Sequence, residues 1–286
     1  MRPDDVLTAD DPLYRELYDV RREGEMLGNL VEEDMNPALN ALRGRGAVQK
    51  GFLRELLGLP LYHRHELVAG KQGYTALSYE ACEQVFRDHE RFSSTIVHQP
   101  NPENEETLAI LEMDGKRHRA YRRTLQPKFI EPQAVTWWRE RWVDKIVAQL
   151  VQRLHKCDVV DLNQDFCARI PVHTITLAIG MEGKDALEFR SAMFKSSGVG
   201  CKTREERDEN TGKVARMLLD VFKRRREEPA DDLASFLVTA ELKLPDGTVP
   251  TLTDREALHH ARLVMIAGGW YHLAPDGDLT LGTAHP

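Results

Sequence analysis

The 286-residue sequence is poor in cysteine and in long apolar runs, and it has fewer basic than acidic residues. Its four cysteines include no CxxC pair, so neither a disulfide framework nor a cysteine-built zinc site is expected, and a reducing cytoplasm is the expected compartment. Lysine and arginine number 39 against 46 acidic residues, and the net charge of −7 argues against a nucleic-acid-binding protein. No apolar run approaches the roughly 20 residues of a membrane span, so no membrane association is expected.

Common catalytic motifs are also missing from the sequence. There is no GxSxG, phosphate loop, HExxH or GxGxxG. His63 and His65 would share one face of a strand, but no acidic or cysteine partner stands at ligand spacing, so surface histidines are favoured over a metal site. A helical metal hydrolase using them with the late histidines ranks far below the other interpretations.

The apolar residues that are present, 41% of the chain, follow mostly helical spacing. One mainly α domain is expected, with a small β hairpin over residues 60–68 and 74–77 and Ser78 as cap of the next helix. Three further helices are indicated by apolar stripes over 135–154, 214–222 and 258–265, the last opened by a capping box at 253–256. A fourth, over 165–180, carries Pro171 and so has a kink or a late start, and the basic run 223–226 is interpreted as a solvated helix end.

The densest polar cluster lies at residues 113–123. His118 and Arg122 are four residues apart and would share a helix face, where an imidazole and a guanidinium could together grip a carboxylate or phosphate. From the residues alone, a solvated basic helix face is favoured over such an anion-binding site.

Five segments, in order, resemble the cytochrome P450 family of haem-thiolate monooxygenases. They are the Phe-Ser-Ser that follows a helix in 86–94, the histidine–arginine helix in 113–122, and the segments 161–180, 231–240 and 253–268. The resemblance implies a mainly α fold with a small β-sheet, truncated in the central, oxygen-binding helix.

The resemblance also implies a site and a reaction. Residues matching His118 and Arg122 bind the haem propionates in this family, and those matching Ala267 and Gly268 lie over the haem where oxygen binds. The family inserts one oxygen atom of dioxygen into a C–H bond of a small organic substrate. Its electrons would come here from a ferredoxin- or flavodoxin-type redox partner, in the cytoplasm.

The sequence departs from the family pattern at its catalytic end. None of the four cysteines has the glycine two residues later that marks the axial ligand, and no Glu-x-x-Arg occurs. Tyr271 stands where the family's oxygen-activating helix requires threonine. Read one nucleotide later, the codons after Gly269 permit Gly-Thr-Thr, which would restore the family helix. We therefore expect residues 1–269 to be a partial P450-like domain and 270–286 a non-family tail created by a frameshift.

The activity of the chain as given follows from this departure. Without an axial cysteine it is expected not to turn over, and the apolar faces of 133–155 and 254–267 are expected to lack partners and favour aggregation. The alternative from another class is a non-catalytic helical binding or interaction protein.

Overall fold

A computed structural model describes residues 34–59, 70–94, 110–130, 132–181, 183–196 and 203–270. Within these ranges the chain is mainly helical, with one two-stranded sheet, as expected from the sequence. The helices are α1 (Asn36–Gly44), α2 (Leu53–Leu56), α3 (Tyr79–Arg87), α4 (Gly115–Leu125), α5 (Pro132–Trp138), α6 (Asp144–Leu154), α7 (Arg169–Ala178), α8 (Gly183–Ser196), α9 (Arg204–Glu227), α10 (Leu233–Thr239) and α11 (Asp254–Trp270).

The small sheet pairs β1 (Val48–Lys50) with β2 (Tyr74–Ala76) in antiparallel register. The prediction of a strand at 74–77 is therefore confirmed, but its described partner is β1, which the apolar pattern did not indicate. The other predicted strand, 60–68, lies outside the described residues. Ser78 caps α3 as expected, since its hydroxyl accepts a hydrogen bond from the backbone N–H of Ala81 at 3.1 Å.

The predicted helix over 135–154 is found as α5 and α6, joined by a π-helical segment at Arg139–Val143. Its stripe points inward as predicted at Trp142, Ile146 and Leu150, which are buried. Val135 and Val151 lie outside the stripe, because they are 62% and 39% exposed.

Pro171 lies in the first turn of α7, so the predicted late start of this helix is confirmed. A proline is tolerated there because the first N–H groups of a helix have no partner within the helix. A separate π-helical segment, Asn163–Cys167, precedes α7.

A well-packed part of the described chain is formed by α8, α9, α10 and α11. Its side chains are almost wholly removed from solvent, and they include Phe189, Val214, Leu218, Phe222, Leu233, Leu237, Ala257 and Ala261. The helix α9 is central to this group, because it contacts each of the other three helices.

The basic run 223–226 is not simply a solvated helix end, which corrects the interpretation from sequence. The Arg225 guanidinium donates to the Asp232 carboxylate at 2.5 Å, and Arg226 donates to Asp254 and to the carbonyl of Val238. Arg225 is half-buried, whereas residues 223, 224 and 226 are exposed. The last two residues of the run therefore also connect the end of α9 to the starts of α10 and α11.

Within the described residues, no helix is both long and apolar enough to cross a membrane.

Candidate functional site

The site is built on α4, whose start is tied to the segment after α3. The carboxylate of Asp114 accepts hydrogen bonds from the Ser93 hydroxyl at 2.5 Å and from the Ser94 backbone N–H at 2.9 Å. Two of the five family-like segments therefore meet at one carboxylate, just before the first residue of α4. This contact orients the beginning of the basic helix.

The middle of α4 is held against α11 by Tyr121. This residue is 3% exposed, and its hydroxyl donates a hydrogen bond to the Glu256 carboxylate. Burial, followed by the hydrogen bond to Glu256, raises the pKa of Tyr121 to about 12. Glu256 also completes the predicted capping box, since it accepts from the Thr253 N–H at 2.8 Å while its own N–H donates to the Thr253 hydroxyl.

His118 and Arg122 lie on α4 on either side of Tyr121 along the chain. His118 is half-buried and Arg122 is exposed, and neither makes an ion pair or a side-chain hydrogen bond with another described residue. Burial and the nearby guanidinium of Arg122 lower the pKa of His118, against the opposing effect of Asp114. At neutral pH the pair therefore offers one charged donor and one neutral donor.

Arg122 lines a cavity of about 830 Å³ between α4 and α11. The wall is mostly apolar and comes from α4 and the residues after it, the α5 region, α7 and α11. Its members are Ile110, Arg122, Leu125, Gln126, Phe129, Ile130, Trp138, Val143, Cys167, Ile170, Pro171, Thr174, Ile175, His260, Leu263, Val264, Ala267 and Gly268. A volume of this size is typical of sites for organic ligands.

Three of the four residues predicted for the site, Arg122, Ala267 and Gly268, line this one cavity. His118 stands one turn before Arg122 and is not part of the wall. Gly268 has a packing reason to be glycine, because an added Cβ would lie 2.7 Å from Cγ1 of Ile175. The absence of a side chain at Gly268 therefore allows α7 and α11 to lie close together, whatever role the residue has toward a ligand.

Two features of the site were missed from sequence. The Tyr121–Glu256 contact joins residues 135 positions apart, and Glu256 was recognised only as a capping residue. His260 was considered only together with His259, yet it alone lies in the cavity wall and is fully buried. The apolar stripe of α11 could have signalled His260, since it stands three residues before Leu263.

No three His, Cys, Asp or Glu side chains of the described ranges come together as metal ligands. His63 and His65, the pair considered for the hydrolase interpretation, lie outside those ranges.

Comparison with known proteins supports the resemblance seen in the sequence. No protein-family model matches the chain. YjiB of Bacillus subtilis (strain 168), which carries a cytochrome P450 name, is 25% identical over 250 residues, 80% of this chain and 61% of YjiB. The 6-deoxyerythronolide B hydroxylase of Saccharopolyspora erythraea is 28% identical over 126 residues, 44% of this chain and 30% of the hydroxylase.

A solved structure shows the same fold. The cytochrome P450 enzyme CYP109B1 from Bacillus subtilis superposes with a TM-score of 0.58 at 20% identity, over 82% of this chain and 57% of that one. The chain thus spans 61% or less of the length of these two relatives and of this structure. The fold and the ordered sequence segments agree, and the chain belongs to the cytochrome P450 family.

Proposed function

We propose that this chain is part of a haem monooxygenase that hydroxylates a small organic substrate with dioxygen. Family membership carries the proposal, together with a cavity of about 830 Å³ that has Arg122, Ala267 and Gly268 in its wall. Electrons would come from a ferredoxin- or flavodoxin-type partner.

The residues present suit a haem. Its two propionates need fixed donors, and neither the guanidinium of Arg122 nor the imidazole of His118 forms an ion pair with a described acidic side chain. The Tyr121–Glu256 contact keeps α4 at a set distance from α11, so the donors and the small residues Ala267 and Gly268 hold their relative positions. Bound haem supplies the iron at which dioxygen is activated.

The protein's own contribution is to bind, orient and exclude water. The apolar side chains of α7 and α11, such as Ile170, Leu263 and Val264, would bind an apolar substrate and keep the surroundings of the reacting atom dry. Arg122 would orient the cofactor from the edge of the cavity.

We also propose that the chain as given does not turn over alone. Cys167 lies in the cavity wall, but Arg169 stands where the family's axial ligand is followed by glycine. In this proposal residues 1–269 are the P450-like part and 270–286 result from a frameshift. Sequencing the coding DNA tests it, because an in-frame stop shortly after codon 286 with no family motif in the shifted frame would contradict it.

Haem binding is the direct test of the site. In a titration of the purified chain followed by the haem absorption band, R122A and H118A are each expected to weaken binding roughly 10- to 150-fold, the range for a charge-assisted hydrogen bond. The matched control is R123A, since Arg123 is an exposed arginine of the same helix that does not line the cavity.

Equal effects of R122A and R123A would contradict the assignment of the propionate site. Failure of the wild-type chain to bind haem would favour the alternative, a non-catalytic helical binding protein. A thiolate signature in the reduced carbon-monoxide difference spectrum would overturn the proposal that the axial ligand is missing.

A further inference from the structure

His260 is one of the residues that line the cavity, and one of its ring nitrogens is buried. The residue is fully buried, and it lies in α11 one turn before Leu263 and Val264, which line the same cavity. Most of the wall is apolar, so a buried ring nitrogen here is chemically distinct from its surroundings.

The hydrogen bonding of the ring defines its tautomer. Nδ1 of His260 lies 2.7 Å from the backbone carbonyl oxygen of Glu256. Because a carbonyl oxygen only accepts, Nδ1 carries the proton, and the neutral ring presents a lone pair at Nε2. Burial lowers the pKa of His260, which favours this neutral form.

The Nε2 atom is shielded from solvent and has no hydrogen-bond partner in the described part of the chain. Buried polar atoms are normally paired, because leaving one unpaired costs free energy. An unpaired acceptor on a residue that lines a cavity is a place where a bound molecule can supply the missing donor.

The ring is held in a defined orientation. It stacks on Tyr121 with a centroid distance of 5.4 Å and an interplanar angle of 6°, and Tyr121 is itself tied to Glu256. The acceptor is therefore preorganised, and a ligand would not bear the entropy cost of ordering it.

We propose that Nε2 of His260 accepts a hydrogen bond from an O–H or N–H group of the molecule bound in the cavity, and so selects ligands that carry such a donor. The inference rests on the proposed function only in taking the cavity as a ligand site. It requires no haem, so it can be tested apart from the haem titration.

The test uses two probes of similar size and shape, 1-naphthol and 1-methylnaphthalene, which differ in the hydroxyl donor. Dissociation constants of both are measured by isothermal titration calorimetry with the full chain. Their ratio in a variant is then divided by the ratio in the wild type, which cancels their different hydration in water.

His260→Phe keeps an aromatic ring to stack on Tyr121 and removes the lone pair. It is expected to weaken 1-naphthol binding roughly three- to tenfold relative to 1-methylnaphthalene, the range of one neutral hydrogen bond. His260→Gln, which retains an acceptor oxygen, is expected to keep part of the preference. His260→Leu is the second variant without a lone pair if the phenylalanine variant melts at the assay temperature.

Leu263→Ala is the matched control, because it enlarges the same wall without changing an acceptor, and it is expected to weaken both probes equally. An unchanged ratio in the variants without a lone pair would overturn the proposal, and so would failure of the wild type to bind either probe. Loss of haem binding in R122A leaves this result untouched, so the two proposals fail separately.

Discussion

The two sides of α11 differ in how completely they are filled. On the side that meets α9 and α10, Ala257 and Ala261 are wholly buried among Phe222, Leu218 and Leu237. On the side that meets α4 and α7, the helix borders a cavity of about 830 Å³. Small buried residues face the filled side, whereas half-buried apolar residues border the open one, which indicates that one side stabilises the fold and the other is available for a ligand.

The largest expected effect contrasts a core residue with a cavity residue. Phe222→Ala is expected to lower the free energy of unfolding by about 3–5 kcal/mol. Phe222 is 0% exposed, so its truncation leaves a cavity on the filled side. Leu263→Ala, at a half-buried position beside an existing cavity, is expected to cost about 1 kcal/mol. Urea unfolding followed by circular dichroism measures both, and equal costs would contradict the distinction between the two sides.

A smaller effect is expected where the filled and open sides meet, at Gly268. Gly268→Ala places a methyl group 2.7 Å from Cγ1 of Ile175, and is expected to cost about 1–3 kcal/mol through overpacking between α7 and α11. In the Ile175→Ala background this cost should largely disappear, which a double-mutant cycle of unfolding free energies would reveal.

The control for this substitution is Gly212→Ala in α9. There the nearest atom to the added methyl group is the mobile end of Arg216, at 3.3 Å, so the better helix propensity of alanine should stabilise the protein by about 0.5–1 kcal/mol. The same change is thus expected to have opposite signs at the two glycines. A stabilising Gly268→Ala would show that α7 and α11 are not in close contact.

A separate effect is a pH dependence from His173, a buried residue of α7. Burial, reinforced by Arg169 and Arg190, lowers its pKa from 6.5 to about 3. The unfolded chain therefore takes up the proton first as the pH falls. This contribution to stability is complete above pH 6.5 and declines by at most about 1.4 kcal/mol per pH unit toward pH 3.

His173→Gln should therefore reduce the slope of the unfolding free energy against pH between pH 6.5 and 4. The reduction is expected to reach at most the slope that corresponds to one bound proton. Urea midpoints at several pH values provide the measurement, and His155→Gln, at an exposed position, controls for the loss of a histidine. An unchanged slope in His173→Gln would show that His173 is protonated in the folded state.

Local features of the fold could be predicted because they depend on residues close in sequence. The cap at Ser78, the capping box at Thr253 and Glu256 and the late start of α7 at Pro171 were each confirmed. The strand partner of β2 could not be predicted, because pairing between distant segments depends on where the intervening chain goes. The role of Arg225 and Arg226 was missed for the same reason, since Asp232 and Asp254 approach them only through tertiary packing.

The candidate site shows the same division. Four of its residues were identified by resemblance, and three of them line one cavity. Their roles toward haem remain proposals, as do the boundary at 269 and the origin of 270–286. In the sequence, the segments that contain Ser93–Ser94 and Asp114 are visible only as two neighbouring motifs. The structure shows their physical link, because the Asp114 carboxylate accepts hydrogen bonds from both serines.

The sequence by itself predicted several of the helices, the caps at Ser78 and Thr253 and the resemblance to the family, because periodicity and ordered motifs are properties of the chain. Only the tertiary structure decided that Gly268 lies against Ile175, that Tyr121 fastens α4 to α11, and that Nε2 of His260 is buried beside a cavity without a partner. Each of these depends on two helices approaching from distant parts of the chain, and such approaches are set by packing rather than by local residue order.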